Sequence, residues 1–131
     1  MPRASGTFEV KVTPKPTDDD GSDRVGHFSI DKVFAGALTG TSRGEMLSAG
    51  SPANGSAGYV AIEYVTGALD GVEGSFALQH NATMHRGVNT LSIQVVPGSG
   101  TGRLAGLAGR FDIVIEGGKH SYDFDYELAP G

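Results

Sequence analysis

Gly58-Tyr59-Val60-Ala61-Ile62-Glu63-Tyr64-Val65-Thr66-Gly67-Ala68-Leu69-Asp70-Gly71-Val72-Glu73-Gly74-Ser75-Phe76-Ala77-Leu78-Gln79-His80 is the stretch that decides the fold. Two alternating segments, 57–69 and 73–85, flank the pair Asp70-Gly71, which tolerates the positive φ values of a tight hairpin turn. A two-residue turn pairs Leu69 with Val72, and a four-residue turn slides the ladder by two positions. Both registers place Tyr59, Ala61, Glu63 and Val65 on the face shared by Phe76, Leu78, His80 and Ala82. In the four-residue register Glu63 stands directly opposite His80; in the two-residue register the two are diagonal neighbours, still within reach. Only a loop of three or five residues would separate them by face.

Working outward, the same alternation recurs. Phe8, Val10 and Val12 alternate with polar residues in the first strand. Further strands are expected over 26–38, 40–49, 90–97, 102–115 and 119–128, which with the central hairpin makes eight segments separated by turn signals. A turn through 86–89 would pair His85 with Thr90, placing Met84, Ala82, His80 and Leu78 with Leu91, Ile93 and Val95. Gly117-Gly118 makes a second tight turn and pairs Phe111 with Phe124, Ile113 with Tyr122 and Ile115 with His120. The polar residues of these strands fall on the other face, so Glu63 and His80 point into the apolar side. The apolar parity changes between Leu104 and Phe111, as one bulge would require. The expectation is an all-β chain with little or no helix, folded as one domain over residues 1–131, a sandwich or a barrel.

Composition narrows the function classes. Of 131 residues, 21 are glycine, an excess that leaves little room for ordinary helices. With no cysteine, disulfides, thiolate metal sites and a Cys nucleophile are excluded. The formal charge of −5, from 10 basic and 15 acidic residues, argues against nucleic acid and anionic membranes as partners. Met1-Pro2-Arg3-Ala4-Ser5-Gly6 contains no apolar signal region and no run approaches the ~18 apolar residues of a spanning helix, so the expectation is a cytoplasmic chain. The acidic loop over 13–25 carries Asp18, Asp19, Asp20 and Asp23; it lacks the spacing of a calcium loop and reads as solvated.

Several motifs invite chemistry and are better explained by the backbone. Gly40-Thr41-Ser42-Arg43-Gly44 matches the G-x-S-x-G pattern of a nucleophile elbow, but Gly50, Pro52 and Gly55 leave no room for the helix that must follow; a β-turn is the preferred reading. Gly100-Thr101-Gly102-Arg103-Leu104-Ala105-Gly106 has the wrong spacing for a dinucleotide loop. His80 and His85 fall on opposite faces, so no metal site and no cofactor is expected. Glu63 and His80 remain as candidate catalytic residues, a carboxylate orienting an imidazole, against the alternative of a buried pair that only fixes the core. Tyr59, Phe76, Leu78, Tyr122 and Phe124 join them as candidate ligand-binding residues. His120 shares their face, whereas the parity of Glu45 is not fixed. Val60, Ile62 and Tyr64 face outward, which suggests a homo-oligomer contact.

Ala4-Ser5-Gly6-Thr7-Phe8-Glu9-Val10, Gly44-Glu45-Met46-Leu47, Gly58-Tyr59-Val60-Ala61-Ile62-Glu63, Gly74-Ser75-Phe76-Ala77-Leu78-Gln79-His80, Gly100-Thr101-Gly102 with Leu104-Ala105-Gly106-Leu107, and Lys119-His120-Ser121-Tyr122-Asp123-Phe124 together resemble the bacterial DUF3224 family. That family's fold is similar to the allene oxide cyclase barrel, itself lipocalin-like in outline. The resemblance implies eight antiparallel strands closed around a hydrophobic pocket. It carries no catalytic residue, because the family's activity is unassigned. Three functions are therefore expected in turn: a barrel holding a small hydrophobic molecule, a cofactor-independent isomerase or cyclase using Glu63 and His80, or a structural module whose interior is filled.

Overall fold

The computed structural model describes residues 3–14, 25–51, 55–86 and 88–128. Nine strands account for nearly all of them: β1 (Arg3–Pro14), β2 (Gly26–Gly36), β3 (Leu38–Ser51), β4 (Ser56–Leu69), β5 (Val72–His85), β6 (Val88–Val95), β7 (Thr101–Gly102), β8 (Leu107–Glu116) and β9 (Lys119–Leu128). Every pairing is antiparallel, and the order β4-β3-β2-β1-β9-β8-β6-β5 closes on itself through β4–β5. The result is an eight-stranded barrel with no helix among the described residues; two-residue β7 adds to β5 beyond the point where β6 leaves it. Among the described residues no helix is long and apolar enough to cross a membrane.

The central hairpin takes the two-residue register, with Leu69 opposite Val72. Asp70 (φ 49°) and Gly71 (φ 81°) both occupy the left-handed region, the geometry whose twist matches the flanking strands. Gly117-Gly118 does the same between β8 and β9, and Phe111–Phe124, Ile113–Tyr122 and Ile115–His120 pair as expected. The β5–β6 ladder is shifted by two from expectation: His85 pairs Val88, not Thr90, which leaves every face unchanged.

Two local expectations are corrected. The strand expected over 102–115 starts at Leu107; residues 103–106 form turns, with Leu104 N–H bonded to Thr101 O and Leu107 N–H to Leu104 O. The change of apolar parity is thus made by a turn, not a bulge, and the turn drops Leu104 into the core at 1% exposure. Gly40–Gly44 is no turn either: it runs inside β3, paired with both β2 and β4. Its glycines serve close approach, since a Cβ on Gly40 would meet Thr66 O at 2.2 Å. Of the acidic loop, only Thr13, Pro14 and Val25 belong to the described residues, and Asp18, Asp19, Asp20 and Asp23 lie outside them.

The two ends of the barrel differ. At the end carrying the β4–β5 turn, Phe34, Phe76, Phe111, Tyr122 and Phe124 fill the interior. Phe111 stacks on Tyr122 at 5.2 Å and Phe76 on Phe124 at 5.9 Å between centroids. The Tyr122 hydroxyl accepts Leu38 N–H at 2.8 Å and has Ala35 O and Leu38 O at 3.1 Å to receive its proton. The Tyr126 hydroxyl donates to the Asp70 carboxylate and so ties β9 to the hairpin turn. Buried rings with satisfied hydroxyls make this the closed end.

Candidate functional site

Midway along the barrel, four polar side chains meet in the interior. Glu63 is supplied by β4, His80 by β5, Lys32 by β2 and Ser42 by β3, and their exposures are 0%, 3%, 5% and 6%. Glu63 Oε1 accepts from Lys32 Nζ at 3.0 Å and from His80 Nε2 at 2.9 Å. Its Oε2 accepts from the Ser42 hydroxyl at 2.7 Å. Room for the carboxylate comes from Gly44, which pairs with Glu63 across β3–β4. The Lys32 ammonium also lies 5.0 Å from the centre of the Phe8 ring, a cation–π contact in a dry setting.

Burial pushes the Glu63 carboxyl up, yet the hydrogen bond from His80, the Lys32 ammonium and the Ser42 hydroxyl outweigh it and hold the pKa down at about 2. Glu63 is therefore a fixed anion, suited to orienting its neighbours and poorly suited to carrying a proton. An ionised carboxylate only accepts, so His80 Nε2 must bear a proton. His80 Nδ1 makes no hydrogen bond with any described residue. The same holds for the Tyr59 hydroxyl, whose ring lies 6.5 Å from that of His80. Burial, then the Glu63 charge, raises the Tyr59 pKa and keeps the phenol protonated.

Above this cluster the barrel opens. A cavity of about 570 Å³ is bordered by Phe28, Met46, Tyr59, Met84, Leu91 and Ile115, from six strands. Its polar borders, Ser48, Thr83, Asn89 and Thr90, are all uncharged. Among the described residues no group of three or more His, Asp or Glu is placed to hold a metal ion.

The structure thus brings Glu63 and His80 together, with the Tyr59 ring beside His80; of the three, Tyr59 alone borders the cavity. Phe76, Leu78, Tyr122 and Phe124 lie elsewhere, packed on one another with 0–1% exposure. His120 is set against Phe8 at 5.3 Å, and Glu45 faces outward, bonded to His27 at 2.8 Å. Sequence reasoning missed Lys32 and Ser42. Lys32 shares the parity of Phe28, Ile30 and Phe34, a signal that could have placed it inside; Ser42 was hidden within a motif read as a turn.

Comparison with known proteins agrees with this architecture. A family model described as DUF3224, protein of unknown function, matches residues 4–126. A crystal structure of a protein of unknown function from the DUF3224 family of Shewanella oneidensis MR-1 is 47% identical, with a TM-score of 0.91 over 100% of this chain and 99% of that one. No curated protein matches the chain. From the barrel, the family model and this relative together, the chain belongs to the DUF3224 family.

Proposed function

We propose that this protein binds a small uncharged apolar molecule in the open end of its barrel. One observation carries the reading: Leu91 and Ile115 share the inward parity of the core yet are 37% and 62% exposed, because they border a cavity instead of packing. Inward apolar side chains left accessible around a concave space are what a ligand would cover. Met46 and Met84 give that wall an adaptable lining. The filled interior foreseen for a structural module describes the closed end, which supplies rigidity. Within this reading the barrel is of the allene oxide cyclase type, supported by eight antiparallel strands in one closed circuit.

The test is fluorescence of the neutral dye phenyl-naphthylamine, together with native mass spectrometry of protein taken from its own host. The dye should brighten on binding, and Met84→Glu should abolish the response without unfolding the barrel. A dye that stays dark with the wild-type protein, or brightens equally with Met84→Glu, overturns the site.

A second reading rests on the Glu63–His80 contact: a cofactor-independent isomerase, in which His80 Nδ1 takes a proton from one ligand carbon and returns it to another. Exchange of deuterium from solvent into a bound molecule would support it, and exchange that survives His80→Gln would sink it.

We also propose a homo-oligomer through Val60, Ile62 and Tyr64. Leu47 pairs with Val60 and extends the patch, while Arg43 and Glu45 set opposite charges beside Tyr64 and Ile62. A two-fold copy can match such a surface with itself.

A further inference from the structure

β6 and β8 are neighbours in the barrel yet share one laddered pair, Gln94–Arg110. Every other neighbouring pair in the circuit is laddered over at least half of each strand. Exposure follows this seam toward the open end. Ile93 and Phe111, beside the shared pair, are each 1% exposed, whereas Leu91 and Ile115 farther along are 37% and 62%. Hairpin geometry fixes which main-chain groups face the seam. The residues that close a two-residue turn exchange both of their bonds, and strict alternation follows from them. His85–Val88 closes one such turn and Glu116–Lys119 another, so Val88, Thr90 and Ser92 bond to β5, and Val114 and Glu116 to β9. The N–H and C=O groups of Asn89 and Leu91 on β6, and of Ile113 and Ile115 on β8, are left facing the seam without a ladder partner.

Resting on the reading of the open end as a binding site, we infer that its ligand carries a neutral secondary amide, held in this seam by the unpaired main-chain groups. Three of the four residues, Asn89, Leu91 and Ile115, also border the cavity. An apolar body that covers Leu91 and Ile115 strips water from the strand edges on which they sit. Each bare N–H or C=O then weakens binding unless the ligand replaces the lost bond. A secondary amide brings one donor and one acceptor on opposite sides, the arrangement of a strand's own backbone. An ester or a tertiary amide accepts and cannot donate. A carboxylate lacks the donor and an ammonium the acceptor, and no charged side chain borders the cavity to receive either.

The experiment displaces phenyl-naphthylamine with three probes built on one chain: N-methyldecanamide, N,N-dimethyldecanamide and methyl decanoate. N-methyldecanamide should bind roughly tenfold more tightly than either rival, the worth of one satisfied hydrogen bond beside a desolvated partner. Hydrogen exchange then locates the contact. The Leu91 and Ile115 amide hydrogens should exchange freely in the unliganded protein and slow about tenfold with N-methyldecanamide bound. Equal displacement by all three probes overturns the amide assignment and leaves the apolar site standing. Protection of both hydrogens before any probe is added shows the seam already paired and overturns it as well. Failure of the dye itself to bind removes both readings.

Discussion

Gly44 faces Glu63 across the β3–β4 ladder, and a Cβ at Gly44 would stand 2.6 Å from that of Glu63 and 2.3 Å from Ile62 O. Two of the three nearest obstacles are backbone, so no rotamer change relieves the clash. Gly44→Ala should cost about 1–3 kcal/mol, as overpacking in cores does. Urea unfolding reads it directly; a wild-type midpoint would show that β3 can move aside freely.

Removing one member of the buried cluster should be more damaging than removing several. Glu63→Gln leaves Lys32 charged and buried without its counter-ion, for an expected loss of about 3–5 kcal/mol. Lys32→Met combined with Glu63→Gln should recover part of that loss. A double-mutant cycle with no coupling would mean that Lys32 and Glu63 do not sense each other.

Acid should unfold the protein through the same carboxyl. The folded-state pKa of Glu63 is about 2 against an ordinary 4.5, so its ionisation stabilises the fold above pH 4.5. That contribution falls away as pH drops from about 4.5 toward 2. Thermal melts across this window should show a falling Tm, and the slope should flatten in Glu63→Gln.

The closed end and the open end should respond separately. Phe124→Ala removes a fully buried ring that contacts Phe76, Phe111 and Tyr126, and should cost about 3–5 kcal/mol. Dye affinity measured well below its melting temperature should stay within a few-fold of wild type. A collapse of binding in a still-folded Phe124→Ala would place the ligand deeper than the Tyr59 level.

Self-association should depend on the outer wall. Sedimentation is expected to show a species heavier than the 13.5 kDa chain, and Ile62→Asp should return it to the monomer. A wild-type monomer at high protein concentration would remove the oligomer proposal.

Much of the barrel was legible because strand faces follow from parity alone. Leu69–Asp70–Gly71–Val72 and Glu116–Gly117–Gly118–Lys119 each name their own turn, and every inward residue of four strands follows from them. The junction at 103–106 was not legible, because glycine-rich sequence suits a bulge and a turn equally and only packing against Glu73 and Gly74 decides. The Glu63–His80 contact could be read from the hairpin, since its two partners are joined by one local turn. Lys32 and Ser42 reach the same carboxylate from strands distant in sequence. Their positions depend on how the barrel closes, which no local pattern encodes.

The difference between the two ends has an evolutionary consequence. Aromatic packing and buried hydroxyls fix one end, while at the opening Leu91 and Ile115 stay largely exposed. If the open end binds as proposed, substitutions at Met46, Met84, Leu91 and Ile115 would change what is recognised at small cost to folding. Under the proposed binding role, relatives that share the closed end would be free to differ in ligand, and specificity should diverge at the rim before the interior changes.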